Sequence, residues 1–259
     1  MEAKNDFSKG SVTGNILRLA GPMTLAQLIN LLYNIIDRMY IGHLPEDSTT
    51  ALTGLGLTFP IITMVTAFSN LFSTGGAPLF SIARGGGEEE RAEKLMGTSF
   101  TMLVISGLIL TGLGLLIKHR VLYLFGASDD TFPYADQYLS VYLLGSVFVM
   151  ISLGMNSFIN AQGFPKTGMC TIAIGAVLNL VLDPIFIFVF DMGVAGAAIA
   201  TVISQAVSAL WVLTFFLGKR SMYRIRKANL ILRMGLLRQI LGLGLAGFIM
   251  QATNFLVQI

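Results

Sequence analysis

Apolar residues run through this chain in long blocks broken by short polar clusters, near residues 15–41, 51–82, 95–117, 134–161, 167–190 and 194–217, with a seventh from 236 to the end. Each block is long enough to cross a bilayer's hydrocarbon core, which takes roughly 20 helical residues. Backbone groups in lipid need internal partners, so the blocks predict helices rather than isolated strands. Within them, polar residues recur at helical spacing. Gln27, Asn30, Asn34 and Asp37 share one face of the first block, and Gly175, Asn179 and Asp183 one face of the fifth. Thr63, Thr66, Asn70 and Ser73 mark the second block, Ser152, Asn156 and Asn160 the fourth, and Thr201, Ser204, Gln205 and Ser208 the sixth. These stripes predict a polar interior facing away from lipid. For the Ser and Thr positions, helix-to-helix hydrogen bonding is a sufficient reason.

Composition agrees: 54% of residues are hydrophobic and 12% charged, with a mean hydropathy of +0.74, which excludes an ordinary soluble domain. Lys4, Lys9, Arg18, Arg84, Arg91, Lys94, Lys166 and the basic run from Lys219 to Arg233 all fall on one side of a six-span weave. The positive-inside rule makes that side cytoplasmic, the N-terminus included, and predicts a multi-pass protein of the plasma or inner membrane. The basic pI of about 9.1 comes from these flanking loops and so points to an anionic leaflet, not to nucleic acid. Cys170 is the one cysteine, leaving no disulfide framework.

Asp37 and Asp183 carry the candidate chemistry. An aspartate at mid-membrane costs roughly 2.5 to 3.5 kcal/mol on insertion scales, so its presence calls for a partner, an ion or a proton. Both acids fall in the outer half of parallel helices. Buried together they suit holding a proton near neutral pH, and with Asn179 and other oxygens nearby they equally suit sodium. Asp37, beside Arg38, also reads as an interfacial charge reaching for the headgroups. Pro184 interrupts the helix just after Asp183 and marks a bend. Tyr33, Tyr138 and Tyr142 read either as the lining of an apolar pocket or as core. Gly242, Gly244 and Gly247 spell G-x-G-x-x-G, but no strand precedes them, and helix packing is the alternative to a nucleotide site. His43 and His119 have no partner at metal spacing, and no Ser, His and Asp arrangement appears; an enzyme or an organic cofactor is not expected. An intramembrane aspartyl protease would need a G-x-G-D context that is missing here.

A faint repeat links the two ends. AGPMTLAQLINLLYNI from Ala20 aligns without a gap to GLAGFIMQATNFLVQI from Gly244, placing Gln27 on Gln251, Asn30 on Asn254 and Asn34 on Gln258. Parallel repeats of this kind occur in secondary transporters. The expected organisation is a cytoplasmic segment 1–14, a six-helix lobe 15–217, a basic inter-lobe loop 218–234, and the first helix of an incomplete second lobe 235–259.

AGPMTLAQLINLLYNIIDRMYIGHL, AQGFPKTG and above all LNLVLDPIFIFVFDMGVAGAAIATVISQ resemble the multidrug and toxic compound extrusion (MATE) exporters, part of a flippase superfamily of paired six-helix lobes. The resemblance implies an all-α transporter exporting amphipathic or cationic organic compounds against inward sodium or proton flow, by alternating access and together with a second lobe. It assigns the N-lobe cation site to Asp37, Asn179, Asp183 and Thr201, with Tyr138 a looser match. Sodium, where used, would sit at Asp37, Asn179 and Asp183. Gln27, Asn30, Tyr33, Asn34, Tyr138, Asn156 and Gln205 are the expected cavity lining. A lipid-linked precursor flippase shares the architecture but calls for a basic central cavity.

Overall fold

The computed structural model describes residues 11–43 and 48–257. Among them the helices are α1 (Val12–Gly42), α2 (Ser48–Gly56), α3 (Phe59–Gly85), α4 (Glu89–Leu124), α5 (Phe132–Leu144), α6 (Ser146–Ala161), α7 (Pro165–Pro184), α8 (Gly193–Leu217) and α9 (Met234–Val257), with no strand. A π turn, Ile185–Val189, continues α7, and a short 3-10 turn, Lys227–Asn229, precedes α9. Grouped by length and hydropathy they make the seven expected spans, α2 with α3 forming one and α5 with α6 another.

Two spans are less regular than their apolar blocks predict. The second is interrupted at Leu57 and Thr58, because Pro60 has no N–H to give to the carbonyl of Gly56 and its ring crowds that carbonyl. The fourth bends by 57° at Gly145 between α5 and α6. Helix faces divide largely as the polar stripes require, with Gln27 of α1 an exception. Leu28, Leu31 and Ile35 of α1 and Leu113, Leu116 and Ile117 of α4 are exposed, as lipid-facing residues are. Phe72, Phe80, Met96, Leu103 and Phe158 fill the interior between α3, α4 and α6.

The loops gather at two ends, as the charge pattern predicts. At the basic end, the turns after α3 and α6 meet the segment between α8 and α9. Gln162, with no exposed surface, organises this meeting. Its side-chain oxygen accepts from the Ser221 hydroxyl at 3.0 Å and from the backbone N–H groups of Met222 and Tyr223 at 3.0 and 3.3 Å, while its Nε2 donates to the Tyr223 carbonyl at 3.2 Å. Arg84 donates to the Ala161 carbonyl at 2.8 Å, and Asn229 to Glu93 at 2.8 Å. The Tyr223 ring packs edge-on against Phe80, 5.1 Å between centroids. The basic segment is therefore strapped onto the six-span body. Replacing Gln162 with Ala leaves the buried Tyr223 N–H and the part-buried Met222 N–H without their acceptor, a loss of about 1 to 3 kcal/mol for the buried one. The expected result is faster amide hydrogen exchange confined first to residues 221–223, and a clear loss of thermal stability.

At the other end, Lys118 pairs with Asp136 at 2.6 Å, and Gly54 of α2 lies against the backbone of Thr131 and Ala135. Across the bundle α9 lies along α3, with Phe68 and Phe248 edge-to-face at 5.0 Å. The closest approach is between backbones. A Cβ on Gly75 would stand 2.0 Å from the Ile240 carbonyl oxygen, and one on Gly244 1.9 Å from that of Leu71. The G-x-G-x-x-G run is thus a packing surface: Gly244 and, less tightly, Gly247 face α3, whereas Gly242 faces open space.

Candidate functional site

α1 packs alongside α7, and the carboxyl groups of Asp37 and Asp183 interact directly between them. Asp183 is 1% exposed and Asn179, one turn earlier on α7, 2%. The four-residue spacing puts both side chains on one face, so Asn179 Nδ2 donates to Asp183 Oδ1 at 3.0 Å. The same Nδ2 reaches Thr201 Oγ1 on α8 at 3.3 Å. Tyr138 of α5 completes the group through interactions with Asp37 and Thr201, and its ring stacks on Tyr142 with centroids 6.2 Å apart. Tyr33, one turn before Asp37, is half-buried.

Of the two readings of Asp37, the structure selects the interior one. Arg38 holds its guanidinium 4.6 Å above the Phe59 ring, and Asp37 Oδ1 is fully buried. Three buried oxygens in this group have no hydrogen-bond partner: Asp37 Oδ1, Asp183 Oδ2 and Asn179 Oδ1. Each buried acceptor left unsatisfied costs about 1 to 3 kcal/mol. A proton on one carboxyl lets it donate to the other, and a sodium ion draws on several oxygens at once. The donor set is all hard oxygen, which fits either ion.

Beyond Asp183, α7 passes at Pro184 into the π turn, where Phe190 N–H bonds to Ile185 O at 2.9 Å. The stripe residues expected to line a cavity divide into several groups. Gln205 accepts from the Ser152 hydroxyl at 2.6 Å, linking α8 to α6, and Asn156 is 8% exposed. Asn30 is half-buried, but Gln27 is exposed, about 15 Å of helix from Asp37 and away from the acid pair. The side chains of Asn34 and Asn254 lie outside the described residues, as does Gln258. Gln162 escaped the sequence reading. Its signal was available: an amide beside a glycine at the turn of AQGFPKTG, between two spans where a solvated residue would suffice.

Comparison with known proteins gives a consistent picture. The MatE family profile matches residues 22–185. The multidrug export protein MepA of Staphylococcus saprophyticus is 28% identical over 244 residues, covering 94% of this chain and 54% of the relative; that of Staphylococcus aureus is also 28% identical over the same extent. A multidrug resistance MATE family transporter of the MOP superfamily, solved in an outward-facing conformation, superposes with a TM-score of 0.86 at 27% identity, covering 93% of this chain and 53% of that one. A MOP superfamily transporter from Pyrococcus furiosus, described as having a binding pocket of reverse polarity and a different function, gives 0.88 at 26% identity, covering 96% and 54%. This chain thus spans about half the length of the curated relatives it matches. A profile match across most of the chain, together with the shared fold, makes it a member of the MatE family of multi-pass membrane transporters.

Proposed function

We propose that this chain forms the cation-coupling lobe of an antiporter that exports amphipathic, often cationic, organic compounds in exchange for sodium or protons. The observation that carries the reading is the acid pair with Asn179, whose three unpartnered oxygens meet among α1, α7 and α8. Alternating access supplies the coupling. Binding of the ion at Asp37 and Asp183 draws α1 toward α7, and Pro184 with the π turn after it lets the outer end of α7 give way. In this reading residues 15–217 are one lobe, the strapped segment 218–234 leads to the second, and α9 opens that second lobe. The N-terminus and basic loops lie in the cytoplasm and the protein resides in the cell membrane.

Substrate charge follows from the interior. The same fold supports pockets of opposite polarity, so polarity has to be read from the residues present. Among the described residues, the side chains around Asp183 between α5, α7 and α8 are carboxyl, amide, hydroxyl and phenol, and the neighbouring Arg38 lies against the Phe59 ring. That set favours organic cations over the pyrophosphate of a lipid-linked precursor. The test is reconstitution of the two-lobe protein in vesicles carrying a fluorescent organic cation. An imposed inward sodium or proton gradient should drive efflux, and the driving ion identifies the coupling. Efflux that runs equally fast under no gradient would overturn the reading.

A further inference from the structure

One face of α1 lies bare while its repeat on α9 is covered. The gap-free alignment that sets Gln27 on Gln251 continues toward the start of both helices, where NILRLA from Asn15 lies over QILGLG from Gln239. Ile16 thus falls on Ile240, Ala20 on Gly244 and Met23 on Gly247. With the glutamine these positions follow i, i+4, i+7, i+11 spacing, so each set makes one helix face. On α9 that face is the one packed against α3. Ile240 has no exposed surface, Gly244 meets the Leu71 backbone, Gly247 faces Thr74, and Gln251 is half-buried. On α1, which rests on α7, α2 and α8, Ile16 is 57% and Met23 44% exposed, and Ala20 and Gln27 are exposed as well. Gln27 is also the central residue of α1, and an amide at mid-membrane is better placed against protein than against lipid tails.

We propose, resting on the two-lobe reading, that this face of α1 docks the second span of the second lobe, the counterpart of α3. The lobes then meet twice, through α9 on α3 and through α1 on the span that follows α9. Parallel repeats related by a two-fold axis along the membrane normal make such a contact reciprocal: what the opening helix of one lobe meets on the other, its counterpart meets in return. The curated relatives, of which this chain covers 54%, have the length for that span. The two contacts differ in tightness. A Cβ on Gly244 would stand 1.9 Å from the Leu71 carbonyl oxygen, and α1 carries that Cβ as Ala20, with Met23 where α9 has Gly247. α9 therefore meets α3 backbone to backbone, whereas α1 meets its partner through side chains and at wider spacing. The wider contact is the one free to slide. Asp37 lies on the same helix, about 25 Å from Ala20, so a shift of α1 toward α7 on ion binding reaches the second lobe directly.

The test replaces Ile16, Met23 or, as a lipid-facing control, Leu113 with the photo-crosslinker benzoylphenylalanine in the two-lobe protein. Crosslinked peptides are mapped by mass spectrometry, and efflux is measured in the same vesicles. Ile16 and Met23 should each join the span after α9, and Leu113 only lipid. Labelling of lipid alone from Ile16 and Met23, a crosslinked pair of copies, or a join to another span of the second lobe overturns the docking surface, even where efflux follows the ion gradient. The expected join in vesicles whose efflux ignores that gradient keeps the surface and sinks the coupling reading instead. Ala20→Leu supplies a second readout. It should lower export about tenfold with ion binding at the acid pair unchanged, because leucine overfills a packed contact, and Ala20→Gly should keep export. Leucine facing lipid would be silent, so full export in Ala20→Leu also overturns the contact.

Discussion

Asp183→Asn should lower gradient-driven export about a hundredfold or more while leaving the lobe folded. The amide keeps the shape, and its oxygen can still accept from Asn179 Nδ2, now 3.0 Å from Asp183 Oδ1. Only the charge is lost. A buried carboxylate contributes little to stability and removing it can stabilise, so the melting temperature should hold or rise. A hundredfold loss corresponds to roughly 2.7 kcal/mol of ion binding, within reach of one charge-assisted contact in a water-poor site. Asp37→Asn should behave alike, and the double variant no worse than either alone, since both acids serve one ion. Thr201→Ala, which removes the acceptor 3.3 Å from Asn179 Nδ2 and the hydroxyl that Tyr138 meets but no charge, should cost about tenfold at most. Export and ion dependence left intact in Asp183→Asn would refute the site.

The acid pair was legible because charge in an apolar run is expensive, and helical spacing said which face it shared. Asn179 lies four residues before Asp183, so their contact needed no tertiary information. Bringing Asp37 to Asp183 did. The sequence allowed Asp37 an interfacial place beside Arg38, and the packing of α1 on α7, with Arg38 turned to Phe59, is what decided it. Gln27 shows the converse: it shares the stripe of Asp37 by periodicity, yet it is left exposed. Breaks within spans were not read from the apolar blocks. Pro60 accounts for one, inside a block read as a single span, and the 57° bend at Gly145 lies inside another. Contacts made by missing atoms were the least visible. Nothing in the pattern separates Gly244, pressed to backbone, from Gly242, two residues away and open.

That contrast yields the second large effect. Gly244→Val should pull α9 from α3, and Gly242→Ala should not. At Gly244 the new Cβ falls 1.9 Å from the Leu71 carbonyl oxygen, 2.9 Å from its carbon and 3.3 Å from Gly75 N. All three are backbone atoms, which cannot rotate aside, so the helices must separate. Overpacking commonly costs about 1 to 3 kcal/mol, and a clash with no flexible partner belongs at or above the top of that range. The separation also loosens Phe68 from Phe248 and Arg91 from Gln239, 3.2 Å apart across α4 and α9. At Gly242 no atom lies within 4 Å, and alanine should be neutral or stabilise by up to ~1 kcal/mol through helix propensity. Because α9 packs chiefly on α3 among the described residues, Gly244→Val should cripple export yet spare the acid pair, whose helices α1 and α7 pack on each other. A melting temperature unchanged from wild type in Gly244→Val would show that the two helices do not meet at these glycines.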